Sequence, residues 1–140
     1  MKIVLDTNIL VTALKSRRGA SFKLISMIPD KRFSIVISVA LILEYEAVLR
    51  RGKLPKSITL SDINDLVDYL CFVGIRQEIF YLWRPFLPDP SDDHILELAV
   101  AAQCDAIVTY NKKDFRGVEK RFGIRMLDSK EFLQKIGVLS

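Results

Sequence analysis

The sequence predicts an α/β fold, a three-layer α/β/α sandwich around a mainly parallel sheet. Short unbroken apolar runs recur along the chain, the pattern of strands buried on both faces. Segments with apolar residues at helical spacing lie between them, so strands and helices alternate. Acidic and turn-forming residues stand where the runs end, the edge at which parallel sheets bind ligands.

Ile3-Val4-Leu5 is the first run, and it ends in Asp6-Thr7-Asn8. An apolar stretch follows, and Asp, Thr and Asn all favour a helix N-cap. Phe22, Ile25 and Ile28 fit a helix that Pro29 terminates. Phe33–Ser38 reads as the second strand, and Leu41, Tyr45, Val48 and Leu49 as the inward stripe of the next helix. Ser61 is placed to cap a helix presenting Ile63, Leu66, Val67 and Leu70, and Cys71-Phe72-Val73 reads as a further short strand. Pro85, Pro88 and Pro90 mark Leu82 to Asp92 as an ordered loop. Phe80-Tyr81-Leu82-Trp83 just before it suits either core or a contact surface. Ile95, Leu98, Ala99 and Ala102 follow the i, i+3, i+4, i+7 rule, Ala106–Thr109 is a strand, and Ile124–Leu127 is another. Asp128 or Ser129 opens the last helix, with Phe132, Leu133 and Ile136 inward and Gly137 ending it.

A chain of 140 residues, half of them apolar, has the size of one domain over residues 1–140. No apolar run reaches the ~18 residues that span a bilayer. The N-terminus offers one lysine and a few apolar residues before Asp6, too short for an export signal, which favours the cytoplasm and no membrane association. Cys71, Cys104 and the lone His94 make no zinc-ligand spacing, so the cysteines read as buried reduced thiols. A net charge of +4 and a pI of about 9.1 permit a polyanionic partner without requiring one.

Several acids fall where the topology would bring them to one edge. Asp6 ends the first strand. Glu44 shares the helical stripe of Leu41 and Val48, where a carboxylate needs a partner. Asp92 and Asp93 fall in the first turn of a helix that Ser91 is placed to cap, and being adjacent they point in different directions, so at most one aims at the sheet edge. Asn111 and Asp114 follow the strand that ends in Thr109. Each has a plain structural reading: a cap, a salt bridge, helix-dipole complementarity, a turn. Gathered together they would repel one another unless a cation neutralised them, and oxygen donors without His or Cys suit Mg²⁺ or Mn²⁺.

Four motifs in order, Val4-Leu5-Asp6-Thr7-Asn8, Leu43-Glu44-Tyr45, Asp89-Pro90-Ser91-Asp92-Asp93 and Ile107 through Thr109-Tyr110-Asn111-Lys112-Lys113-Asp114-Phe115, span nearly the whole chain. Together they resemble PIN-domain ribonucleases, and within them the VapC-like toxins of prokaryotic toxin-antitoxin pairs. The resemblance implies Asp6, Glu44, Asp93 and Asp114 as catalytic acids. It implies Asp6, Asp93, Asp114 and Asn111 as metal ligands, and Thr7, Asn8 and Thr109 as residues that orient them. Many relatives carry Asp where this chain has Asn111, which lowers the charge of the site by one. The implied activity is endoribonucleolytic hydrolysis of RNA with Mg²⁺ or Mn²⁺ activating water for attack at phosphorus. The implied partners are an RNA substrate, a protein antitoxin and a second copy of the chain.

Lys112 and Lys113 beside Asp114, and Arg50 and Arg51 after the Glu44 helix, are the expected phosphate contacts. The competing reading is a catalytically silent PIN fold that only binds RNA or protein. A haloacid-dehalogenase-like phosphatase needs a second Asp two residues after the first, where this chain has Asn8. A branched-DNA nuclease needs additions for which the chain has no room.

Overall fold

Residues Lys2–Leu5 form β1 and are buried from Ile3 onward; the computed structural model describes the whole chain, Met1–Ser140. Two more strands bury equally apolar runs, β2 (Ser34–Ile37) and β4 (Ala106–Val108), with β3 (Ile75–Arg76) and β5 (Arg125–Leu127) at the edges. The sheet is five-stranded, in the order β3-β2-β1-β4-β5. Every pairing is parallel: Ile3 stands opposite Ile35 and Ala106, Val36 opposite Ile75, and Ile107 opposite Met126.

Seven helices complete the chain: α1 (Thr7–Lys15), α2 (Ala20–Ser26), α3 (Val39–Arg51), α4 (Leu60–Val73), α5 (Asp93–Ala101), α6 (Val118–Phe122) and α7 (Ser129–Lys135). Helix α2 packs on α1 and α7, while α3 packs on α4 and α5, so helices cover both faces of the sheet. This is the expected α/β/α sandwich. The apolar stripes read from the sequence are the ones buried: Leu41, Tyr45 and Leu49 on α3, Ile63, Val67 and Leu70 on α4, Ile95, Leu98 and Ala99 on α5, Phe132 and Leu133 on α7. Gly137 ends the last helix with φ at +82°, the left-handed cap that glycine adopts freely. No helix is long and apolar enough to cross a membrane.

Two local readings are corrected. Cys71–Val73 is the last turn of α4, and the strand begins two residues later at Ile75. Three apolar residues fit either period, and the helix wins because it starts early. Thr59, not Ser61, is the N-cap, accepting from Asp62 N while Asp62 accepts from Thr59 N in a reciprocal box. Gly74 then ends the helix where any Cβ would lie 2.7 Å from the Leu70 carbonyl and 3.1 Å from the Ile37 side chain. The chain must pass this close to β2 to lay down β3.

The strand order reverses between β1 and β4. A parallel sheet leaves a crevice at such a switch, beyond the carboxyl ends of the two strands. The residues immediately past those ends are Asp6 and Thr109, and Asp6 N donates to Val108 O at 2.9 Å across the switch.

Candidate functional site

Asp6 has two tasks at that crevice. Its Oδ1 accepts from Thr7 N at 2.8 Å, capping α1, and its Oδ2 accepts from the Thr109 hydroxyl at 2.8 Å and from Asn8 Nδ2 at 3.2 Å. Burial raises its pKa above the ordinary carboxylate value; the bonds from Thr109 and Thr7 oppose this, and the charges of Glu44 and Asp114 add to it. One side chain both caps the helix and faces the crevice.

Glu44 reaches the crevice from α3. The Thr7 hydroxyl donates to its Oε2, and His94 Nε2 lies 3.1 Å from its Oε1. Burial would raise its pKa, but the hydrogen bonds from His94 and Thr7 outweigh burial and leave it lowered. Tyr45, the next residue on α3, turns into the core and donates its hydroxyl to Leu5 O, the carbonyl before Asp6. Tyr45→Phe removes that bond and should cost about 1 kcal/mol of unfolding free energy, read from urea denaturation.

Asp114 lies in a short 3-10 turn, Lys112–Phe115, where its N donates to Asn111 O at 2.9 Å. Asn111 is exposed and is tied to the site through its backbone, which donates to the Thr109 hydroxyl at 3.0 Å.

Of the two adjacent acids, Asp92 faces the other carboxylates, while Asp93 is bonded to the loop before α5 through one oxygen and leaves its buried Oδ2 without a partner. Burial, then the charges of Asp6, Asp89, Asp114 and Glu44, push the Asp92 carboxyl up to about 6. Asp93 is 0% exposed, and its Oδ1 accepts from Leu87 N at 2.9 Å. Its charge acts on Arg84. The reason is the start of the helix. Asp89 accepts from Ser91 N at 2.9 Å and opens a 3-10 turn, Pro90–Asp92, so Ser91 is not the cap and α5 begins only at Asp93. Adjacent residues on a helix diverge by about 100°, and this start turns the first acid to the cluster and the second to the loop. Glu97, one turn after Asp93, does the same work. It is buried, accepts from Trp83 N at 2.9 Å, and takes both Arg84 Nε and Nη2 at 2.9 Å. The i, i+4 pair Asp93 and Glu97 thus pins Trp83–Leu87 to α5. That spacing was readable in the sequence, whereas the role of His94 had no signal there.

Asp6, Glu44, Asp92 and Asp114 therefore act on one another electrostatically. No lysine or arginine forms an ion pair with Asp6, Asp92 or Asp114; the ion pairs lie elsewhere. The carboxylates share an edge without closing into a finished cage of three or more ligands. Of the expected phosphate contacts, Lys112 is paired with Glu131, and Arg50 with Glu46 at 3.0 Å and Asn64 at 2.9 Å. Lys113 and Arg51 are exposed and make no ion pair, and Arg51 is near enough to Glu44 to help lower its pKa.

A family model described as PIN domain matches residues 2–113. The fold is similar to a chain of the VapBC2 crystal structure from Rickettsia felis, bound to a promoter DNA fragment, with a TM-score of 0.61 and 20% identity, covering 91% of this chain and 98% of that one. It is also similar to a chain of VapBC-1 from nontypeable Haemophilus influenzae, with a TM-score of 0.62 and 16% identity, covering 93% and 99%. No curated protein matches it in sequence.

Proposed function

This chain belongs to the PIN-domain family, and from that premise we propose that it is a metal-dependent endoribonuclease, the toxin of a prokaryotic toxin-antitoxin pair. One observation carries the reading: Asp6, Asp92 and Asp114, from three parts of the chain, face one another at the crevice with no lysine or arginine paired to any of them, and burial first, then the charges of Asp6, Asp89, Asp114 and Glu44, push the Asp92 carboxyl up to about 6. Clustered carboxylates without a paired base repel one another unless a cation neutralises them, and such perturbed groups gather at functional sites. The donors are all oxygen, which suits a hard cation.

Asp6, Asp92 and Asp114 would hold Mg²⁺ or Mn²⁺, with Glu44 beside them and Asn111 as a neutral oxygen in reach of the same loop. Bound there, the ion supplies Lewis-acid activation of water and neutralises charge on the leaving oxygen. The protein's share is orientation. Thr109 and Asn8 fix the Asp6 carboxylate, Thr7 and His94 fix Glu44, and the Pro90–Asp92 turn presents Asp92. Lys113 and Arg51 are the unpaired cations available to substrate phosphates.

The likeness to chains of two VapBC structures supports a protein antitoxin as partner. Val39 and Leu43, one turn apart on α3 and both exposed, offer an apolar face for such a partner or a second copy of the chain. We place the protein in the cytoplasm, as one domain.

Calorimetric titration with Mn²⁺ and an RNA cleavage assay test the reading together. The expected result is stoichiometric binding, cleavage in Mg²⁺ or Mn²⁺, and none in EDTA. A chain that neither binds Mn²⁺ nor cuts RNA is the silent binding module instead.

A further inference from the structure

We propose that the segment 81–86 and helix α6 form a stacking platform for unpaired bases of single-stranded RNA, on the segment that continues into the Pro90–Asp92 turn; this rests on the ribonuclease reading above. Four aromatic rings meet there. Tyr81 and Trp83 have centroids 4.6 Å apart, Trp83 and Phe122 5.0 Å, and Phe86 and Phe122 5.4 Å. The guanidinium of Arg121 lies over two of them, 5.6 Å from the Phe122 centroid and 6.0 Å from that of Trp83. The inner rings, Trp83 and Phe122, are half-buried. The outer ones are left in water, Tyr81 at 65% and Phe86 at 37% exposure.

These rings are held in place by the buried carboxylates Glu97, bonded to Trp83 N and the Arg84 side chain, and Asp93, bonded to Leu87 N. The same segment continues through Asp89 into the Pro90–Asp92 turn. Preorganised aromatic surface of this kind binds single strands, because every base has a π face and stacking on a fixed ring loses little entropy.

The charge beside the rings matches a polyanion. The largest surface groove runs along α6 and the edge strand β5, and its walls carry Arg116, Lys120 and Arg125. It adjoins the aromatic patch at Gly117, where a Cβ would stand 3.9 Å from the Phe86 ring. The two acids of that groove are already engaged. Glu119 accepts from Met126 N at 2.7 Å, and Glu131 accepts from Asp128 N at 2.9 Å and pairs with Lys112. Arg116, Lys120 and Arg121 have no carboxylate partner. Three cations without a carboxylate partner beside exposed rings match the phosphates and bases of a nucleic acid strand.

Trp83 is the only tryptophan in the chain, so its fluorescence reports on the patch directly. In EDTA, where no cleavage occurs, a short oligouridylate should quench Trp83. The Tyr81→Ala/Phe86→Ala double variant should bind it roughly tenfold or more weakly, with affinity for an abasic ribose-phosphate strand of equal length unchanged. Arg116→Gln/Lys120→Gln should weaken both strands and flatten the salt dependence. The Tyr81→Leu/Phe86→Leu variant keeps apolar bulk without a π face; it should show the same loss as the alanine variant, and it decides the matter should the alanine variant fail to fold. Wild-type affinity in the leucine variant, or an unquenched Trp83, overturns the platform and leaves the ribonuclease reading standing. Binding and quenching without any cleavage in Mn²⁺ overturns the ribonuclease reading and leaves the platform. A changed sedimentation coefficient for the RNA-free double variants, with RNA affinity intact, assigns the patch to protein association and overturns the proposal.

Discussion

Asp6→Asn is expected to reduce metal-dependent RNA cleavage by at least ~100-fold, the scale on which loss of one preorganised electrostatic group shows in catalysis, while the protein stays folded. Asparagine caps helices as well as aspartate does, so the bond to Thr7 N survives. The neutral amide also escapes the cost that burial and the neighbouring charges of Glu44 and Asp114 impose on the carboxylate. The Thr109 hydroxyl can rotate to accept from the new amide instead of donating to Oδ2. Circular dichroism melts should therefore match or exceed wild type as activity disappears. Full activity in this variant, or loss of activity only through unfolding, would remove Asp6 from the site.

Asp92→Asn and Asp93→Ala are expected to separate completely, although the residues are neighbours. Asp92 makes no capping hydrogen bond, and its carboxyl is pushed up to about 6 by burial and the surrounding acids. The folded value stands above the unfolded one of 3.8. The ionised carboxylate therefore costs stability in the folded state. The cost is absent below about pH 4, grows between 4 and 6, and is fully present above 6. Asp92→Asn removes it, so the metal-free variant should melt roughly 3–8 °C above wild type at pH 7.5, from about 1–2 kcal/mol after allowing for solvent screening. The gain should vanish near pH 4. Cleavage should fall by at least ~100-fold, and Mn²⁺ should raise the melting temperature less than it does in wild type. Asp93→Ala should do the reverse. It leaves the buried Leu87 N without an acceptor at a cost of about 1–3 kcal/mol, and the folded fraction should still cut RNA. Measured melts across pH 4–8 for both variants check the assignment. A stabilised, inactive Asp93 variant beside an active Asp92 variant would reverse it.

The difference between these two residues shows where reading the sequence ran out. Asp89 to Asp93 is visibly a place for acids, and the sequence states that adjacent side chains diverge. Which one reaches the cluster depends on the phase at which α5 begins, and that phase is set by Asp89 taking Ser91 N in a turn built on Pro90. Three residues of slack before a helix are enough to exchange the two. Thr59 and Ser61 show the same limit, since both are good caps and only the reciprocal bond with Asp62 decides. Strands β1, β2, β4 and β5, by contrast, were legible to within a residue or two, because each carries a short apolar run bounded by polar or turn-forming residues.

The sequence by itself determined the alternation of strands and helices, the stripes that fill the core, and the meeting of Asp6, Thr109 and the Asp114 turn beyond two strand ends. These follow from local periodicity and from the geometry common to all parallel sheets. Only the tertiary structure decided which partner each charged side chain meets. Asp93 Oδ1 and Glu97 hold a loop, Lys112 and Arg50 are paired with Glu131 and Glu46, and His94 is bonded to Glu44. A charged side chain's role depends on the partner it meets, and here each of those partners but Glu46 lies from six to fifty residues away along the chain.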